Sequence, residues 1–147
     1  MAGVSLSRKG FRFLEHTSDA YVEAYGPTLG DAFAEAARGM FEVMVDTSRV
    51  EPRIEEEVEL EADSLEVLLV SWLEELLYKF DAEGKVYSEF DVEVAEGEVY
   101  RLKARVRGEE YSPEKHMPKT DIKAVTYGMM EISKGEEGWK LRVLFDI

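Results

Sequence analysis

Apolar residues alternate with polar ones toward both ends of the chain and fall into helical stripes between them. Phe11 and Phe13, then Tyr21, Val22, Ala24 and Tyr25, are strand formers on either side of a short polar stretch, His16 to Asp19. They predict two strands, residues 11–14 and 20–26, joined by a bend in which Thr17, Ser18 and Asp19 bond the local backbone. Residues 1–10 read as a frayed tail. Gly26-Pro27 stops the second strand, and Thr28 with Asp31 three residues on forms an acidic capping box. Leu29, Ala32, Phe33, Ala36, Ala37, Met40, Phe41 and Met44 then recur at helical spacing, one core-facing stripe.

After a loop, Val58, Leu60 and Ala62 alternate with Glu57, Glu59 and Glu61, a half-buried strand whose acids need only water on their face. Asp63 is expected to cap a second helix with Glu66 at its N3 position. Its stripe, from Leu65 through Leu68, Leu69, Trp72, Leu73, Leu76 and Leu77 to Phe80, predicts the more deeply buried of the two helices. Strands over 86–94 and 98–107 follow, with Ala95-Glu96-Gly97 as their turn. A three-residue turn sets Asp91 opposite Arg101 and Glu89 opposite Lys103, so that acid neutralises the basic stripe continued by Arg105 and Arg107. Residues 108–121, with Tyr111, Ser112, His116 and Lys119, read as a long mixed polar loop and a second functional candidate. A strand over 122–132 and a turn over 134–138 lead to the last strand, with Trp139, Leu141, Val143, Phe145 and Ile147 inward. The sum is a single-domain α+β fold over residues 1–147, antiparallel or mixed sheets packed with two main helices.

A chain of 147 residues, 45% apolar, has enough material for one domain with a real core. It has no apolar run of membrane-spanning length, and its N-terminus lacks the apolar stretch of a secretory signal. The expectation is a cytoplasmic protein without a membrane partner. The absence of cysteine excludes disulfides, thiolate zinc sites and cysteine nucleophiles. A net charge of -14 argues against tight direct nucleic-acid binding, because phosphate recognition needs a basic footprint.

The candidate chemistry lies at the ends of the strands. Asp146 is followed by one residue, Ile147, whose α-carboxylate is a second anion, and Asp19 on its bend supplies a third. A hard divalent ion of the Ca, Mg or Mn class accepts such oxygens, Zn suits the set less well, and His16 would join for Zn or Mn. The competing reading leaves Asp146 in water and makes Asp19 a turn cap.

Five segments then bear on function together: Leu-Glu-His-Thr-Ser-Asp-Ala from Leu14, Tyr-Gly-Pro-Thr-Leu-Gly-Asp-Ala-Phe from Tyr25, Trp-Leu-Glu-Glu-Leu-Leu-Tyr from Trp72, Lys-Ala-Val-Thr-Tyr from Lys123, and the terminal Phe-Asp-Ile. In order, and over nearly the whole chain, they resemble the archease family. The resemblance implies a small acidic α+β protein that is not itself an enzyme. Its partner would be the RtcB-type RNA ligase that joins tRNA exon halves, whose guanylylated histidine intermediate, multiple turnover and nucleotide range it would promote. The family's metal site falls on Asp19, Asp146 and Ile147. Gly128 stands where many members of the family have His after Thr-Tyr, and Ser18 stands in place of the Ala common in the family motif. Two rival readings are a small metal-dependent phosphoesterase with His16 or His116 as proton shuttle, and a chaperone-like binding module with a large exposed apolar patch.

Overall fold

The structure, a computed structural model, describes residues 8–16 and 18–147. The expected tail before Arg8 and the part of the bend at Thr17 lie outside the described residues. In chain order the elements are β1 (Gly10–Leu14), β2 (Asp19–Gly26), α1 (Leu29–Met44), a 3-10 turn (Thr47–Arg49), β3 (Ile54–Ala62), α2 (Leu65–Glu83), β4 (Lys85–Ala95), β5 (Tyr100–Glu110), α3 (Pro113–His116), β6 (Ala124–Gly135) and β7 (Gly138–Asp146). They form two sheets, β1-β2-β7-β6 and β3-β5-β4, with antiparallel neighbours throughout. This is the expected α+β class. No described helix is long and apolar enough to cross a membrane.

Thr28 Oγ1 accepts from the Asp31 backbone N–H at 3.0 Å, and Asp31 Oδ2 accepts from the Thr28 N–H at 3.3 Å, the reciprocal box expected at the start of α1. At α2 the cap is Ser64 rather than Asp63: its hydroxyl accepts from the Val67 N–H at 3.1 Å, and the helix starts one residue later than expected. Gly84 ends α2 in the left-handed conformation, φ +65°.

The depth of the helices reverses the expectation. In α1, 12 of 16 residues are buried, against 7 of 19 in α2. Both stripes are apolar and both helices touch both sheets, α2 through β6 of one and β3, β4 and β5 of the other, but α1 packs more extensively, on β1, β2 and β7 of one and β4 of the other. Glycine permits that approach: a Cβ on Gly30 would stand 2.1 Å from the Val92 carbonyl oxygen, and one on Gly39 would stand 2.7 Å from Val22 Cγ1. The helices are tied together by Trp72, whose indole N–H donates to the Phe33 carbonyl at 3.0 Å.

The β4–β5 hairpin keeps its expected faces but not its expected register. Asp91 faces Arg105, Glu93 faces Lys103 and Glu89 faces Arg107, where Asp91 to Arg101 and Glu89 to Lys103 were expected. The connection takes in Glu96 to Val99, and the resulting shift is by an even number of residues, which leaves the inward set unchanged. On the other side of β5, Glu57, Glu59 and Glu61 face Arg105, Lys103 and Arg101, so these acids meet cations and not water alone. The expected loop over 108–121 is partly regular: β5 continues to Glu110 and α3 is a helical turn. Ile147, expected inward, is 37% exposed, because β7 ends at Asp146 opposite the first residue of β2.

Candidate functional site

β2 pairs with β7 so that Ala20, Val22 and Ala24 face Phe145, Val143 and Leu141 on the core side. The alternate residues therefore share the outer side, in the rows Asp19–Asp146, Tyr21–Leu144 and Glu23–Arg142. Two of the residues singled out from sequence are thus direct cross-strand neighbours. Side chains so placed have Cβ atoms about 5 Å apart, and like charges there destabilise the pair. Asp146 is exposed, and its carbonyl accepts from the Lys123 N–H at 2.7 Å, which holds the strand end against the start of β6.

His16 sits beside this pair, its Nδ1 3.4 Å from Asp19 Oδ2, and both side chains are only about one quarter exposed. The His16 ring stands edge-on to Tyr21 with centroids 6.0 Å apart. Among the described residues, no three His, Asp or Glu side chains converge as metal ligands. The donor set at this corner is two carboxylates, with His16 on Asp19. That suits a hard cation completed by water and further oxygens better than a site closed by side chains. A trough of about 740 Å³ opens at the far end of the same sheet, lined by Arg8, Arg12, Tyr25, Lys134 and Trp139 among others, away from the acidic corner.

The second candidate resolves differently. His116 is fully buried, and its Nδ1 accepts from the Ser112 N–H at 2.9 Å. Nε2 therefore carries the proton and donates to Glu109 Oε2, 2.9 Å away. Tyr111 stacks on the ring at 5.9 Å, and the His116 carbonyl accepts from the Asp46 N–H at 3.0 Å. Burial raises the Glu109 pKa, but the Glu51 backbone N–H, His116 and Lys115 outweigh it and hold the carboxyl at about 2. His116 is a brace between α3, β5 and the end of α1, not the proton shuttle it was considered for.

Sequence reasoning missed a break in β6. Thr126 faces Leu144 and Glu131 faces Arg142, so residues 127–130 stand against Val143 alone. The Tyr21 hydroxyl donates to the Met129 carbonyl at 2.7 Å, folding this bulge over the outer side of the sheet. Gly128 inside a strand pattern was the available signal.

Fold and site together define a small two-sheet α+β protein whose distinctive chemistry is a paired-acid corner at two strand ends. The comparisons agree with that class and narrow it. The model of the Archease protein family (MTH1598/TM1083) matches residues 11–147, and the chain belongs to that family. "Protein archease" of Methanosarcina mazei is 46% identical over 142 residues, 95% of this chain and 97% of the relative. That of Thermococcus kodakarensis is 46% identical over 135 residues, 90% and 95% of the two chains. The solution structure of Methanobacterium thermoautotrophicum protein 1598 superposes with a TM-score of 0.81 at 38% identity, covering 94% of this chain and 99% of that one. A Thermotoga maritima archease, described as a possible chaperone, shares the fold alone: TM-score 0.59 at 19% identity, covering 91% and 94%.

Proposed function

We propose that this protein activates an RtcB-type tRNA-splicing RNA ligase, promoting guanylylation of the ligase and its multiple turnover in exon joining, and that it is not itself a catalyst. In this reading a divalent ion of the Ca, Mg or Mn class is held by Asp19, Asp146 and the α-carboxylate that Ile147 carries when it is the last residue. The observation that supports it is the cross-strand Asp19–Asp146 pair on the family's fold: an arrangement that costs stability without a cation is suited to holding one. The cation supplies charge neutralisation. The chain's own part is to hold two carboxylates rigidly on paired strands, with His16 orienting Asp19. The phosphoesterase reading loses one of its two proton shuttles with the burial of His116.

The test is ligation by purified ligase under single- and multiple-turnover conditions. Substoichiometric addition is expected to raise turnover and guanylylation, while the protein alone neither ligates RNA nor hydrolyses GTP. Phosphatase activity of the isolated protein would instead favour the hydrolytic reading. A C-terminal tag turns the Ile147 anion into a neutral amide, so it is expected to weaken ion binding by calorimetry where an N-terminal tag does not. Equal affinity with either tag would remove Ile147 from the ligand set.

A further inference from the structure

The bulge at residues 127–130 places four residues of β6 where regular pairing has room for one. It interrupts the ladder, and it holds Met129 at φ +55°, the left-handed region that a residue with a Cβ adopts only at a steric cost. The side chains of Tyr127 and Met129 gain no burial from it, being 56% and 57% exposed. The bulge is nevertheless pinned: buried Tyr21 bonds the Met129 carbonyl, and Thr126 Oγ1 donates to the Leu144 carbonyl at 3.0 Å. Tyr21 lies two residues from Asp19, and Leu144 lies two residues from Asp146. Both anchors therefore belong to the strand segments that carry the acidic pair. A tyrosine and a methionine are held out from the surface beside two carboxylates, while Met130, the last residue of the bulge, packs against the core and anchors it. Strained segments and bulges of this kind gather at functional surfaces, and exposed aromatic and Met side chains are characteristic anchors of interfaces.

Resting on the activator reading, we propose that the 127–130 bulge is the docking element of this protein. In that complex Tyr127 and Met129 enter the mouth of the ligase's RNA-binding groove, with Asp19, Asp146 and the divalent ion they hold at its edge. Charge selects this occupant. A chain of net charge -14 repels free RNA, whereas an enzyme that binds RNA presents a basic groove. A second copy of this chain is disfavoured, because two chains of net charge -14 repel each other.

The experiment compares wild type, Tyr127→Ala/Met129→Gly and Glu59→Gln for affinity to purified ligase, with thermal melting and Mn2+ calorimetry on each. Glycine is at ease at φ +55°, so the double variant should melt no lower than wild type and bind Mn2+ equally well. Its affinity for the ligase is expected to fall by about tenfold or more, the scale of an interface anchor, while Glu59→Gln on the other sheet binds as wild type does. Wild type that binds and a folded double variant that binds within about twofold of it, less than the loss of even a minor anchor, would overturn the docking element alone. Wild type that does not bind the ligase would overturn the activator reading and the docking with it. Self-association lost in the double variant would assign the bulge to a second copy and overturn the ligase as its partner.

Discussion

The outer side of the second sheet is more densely charged than that of the first, and the two treat charge differently. On the second sheet, β5 runs between two acidic strands, in the rows Glu55–Arg107–Glu89, Glu57–Arg105–Asp91 and Glu59–Lys103–Glu93. Arg107 closes on Glu55 and Asp91 at 2.9 Å each, and Arg101 closes on Glu61 at 2.9 Å. On the first sheet one row is likewise complementary, with Glu23 between Arg12 at 2.7 Å and Arg142 at 2.9 Å. Two rows along, Asp19 faces Asp146 and the complementarity fails. Most acid on these two outer sides is therefore answered by a neighbouring cation, whereas Asp19 and Asp146 face each other. The two sides also differ in cover, since Glu23 and Tyr21 are buried while the second sheet's charges stay largely in solvent.

The largest effect is expected where the first sheet buries its charge. Glu23→Ala leaves Arg12 and Arg142 without their shared carboxylate and should cost about 3 kcal/mol in urea unfolding, the low end for breaking a buried pair because both arginines keep water contact. A loss under about 0.5 kcal/mol would put this row on the footing of an exposed ladder.

Next comes the unmatched row. Saturating Ca2+ or Mn2+ at a hundredfold over its dissociation constant should stabilise the wild type by about 2.7 kcal/mol, and Asp19→Asn or Asp146→Asn should remove most of that response. In chelator the same variants should be more stable than wild type by a few tenths to about 1 kcal/mol, since they relieve like charges placed opposite each other. Variants less stable than wild type in chelator would mean that the pair is already satisfied within the protein.

The inner side of β3 sharpens the contrast through pH. Burial raises the pKa of Glu56, but Lys85 and Lys79, each 2.9 Å away, and the Tyr87 hydroxyl at 2.8 Å outweigh it and hold the carboxyl at about 2. Its folded value lies below the unfolded one, so its contribution is full above about pH 4.5 and is lost as pH falls toward 2. Glu109, also held at about 2, adds to the same window. The urea midpoint should fall across that range, and Glu56→Gln should flatten the fall; an unchanged slope would show that the lysines do not hold Glu56.

The smallest effect belongs to the exposed ladder. Lys103→Gln removes the cation between Glu59 and Glu93, yet the melting temperature should move by no more than about 2 °C, as expected for exposed pairs in a domain of this size. A larger drop would mean that the ladder acts as a cooperative network.

Much of this protein was legible from residue order because much of it is local. Alternation identified the inward faces of β3 and β7, the Thr28–Asp31 box opened α1 as expected, and Gly84 closed α2. Asp19 and Asp146 stood out as acids at strand ends, and the motifs around them carried the likeness to the family. Only the tertiary structure decided who faces whom. A register shift by an even number of residues leaves every apolar residue inward, so the pattern could not place Asp91 against Arg105 instead of Arg101. Two apolar stripes do not say which helix the rest of the protein covers more fully. No local signal tells a buried brace such as His116 from a proton shuttle, nor shows that Ile147 overruns the core that parity points it toward. Sequence encodes which side of an element avoids water; the charges across each strand, the bulge and the opposition of Asp19 to Asp146 follow from long-range pairing, which no single segment contains.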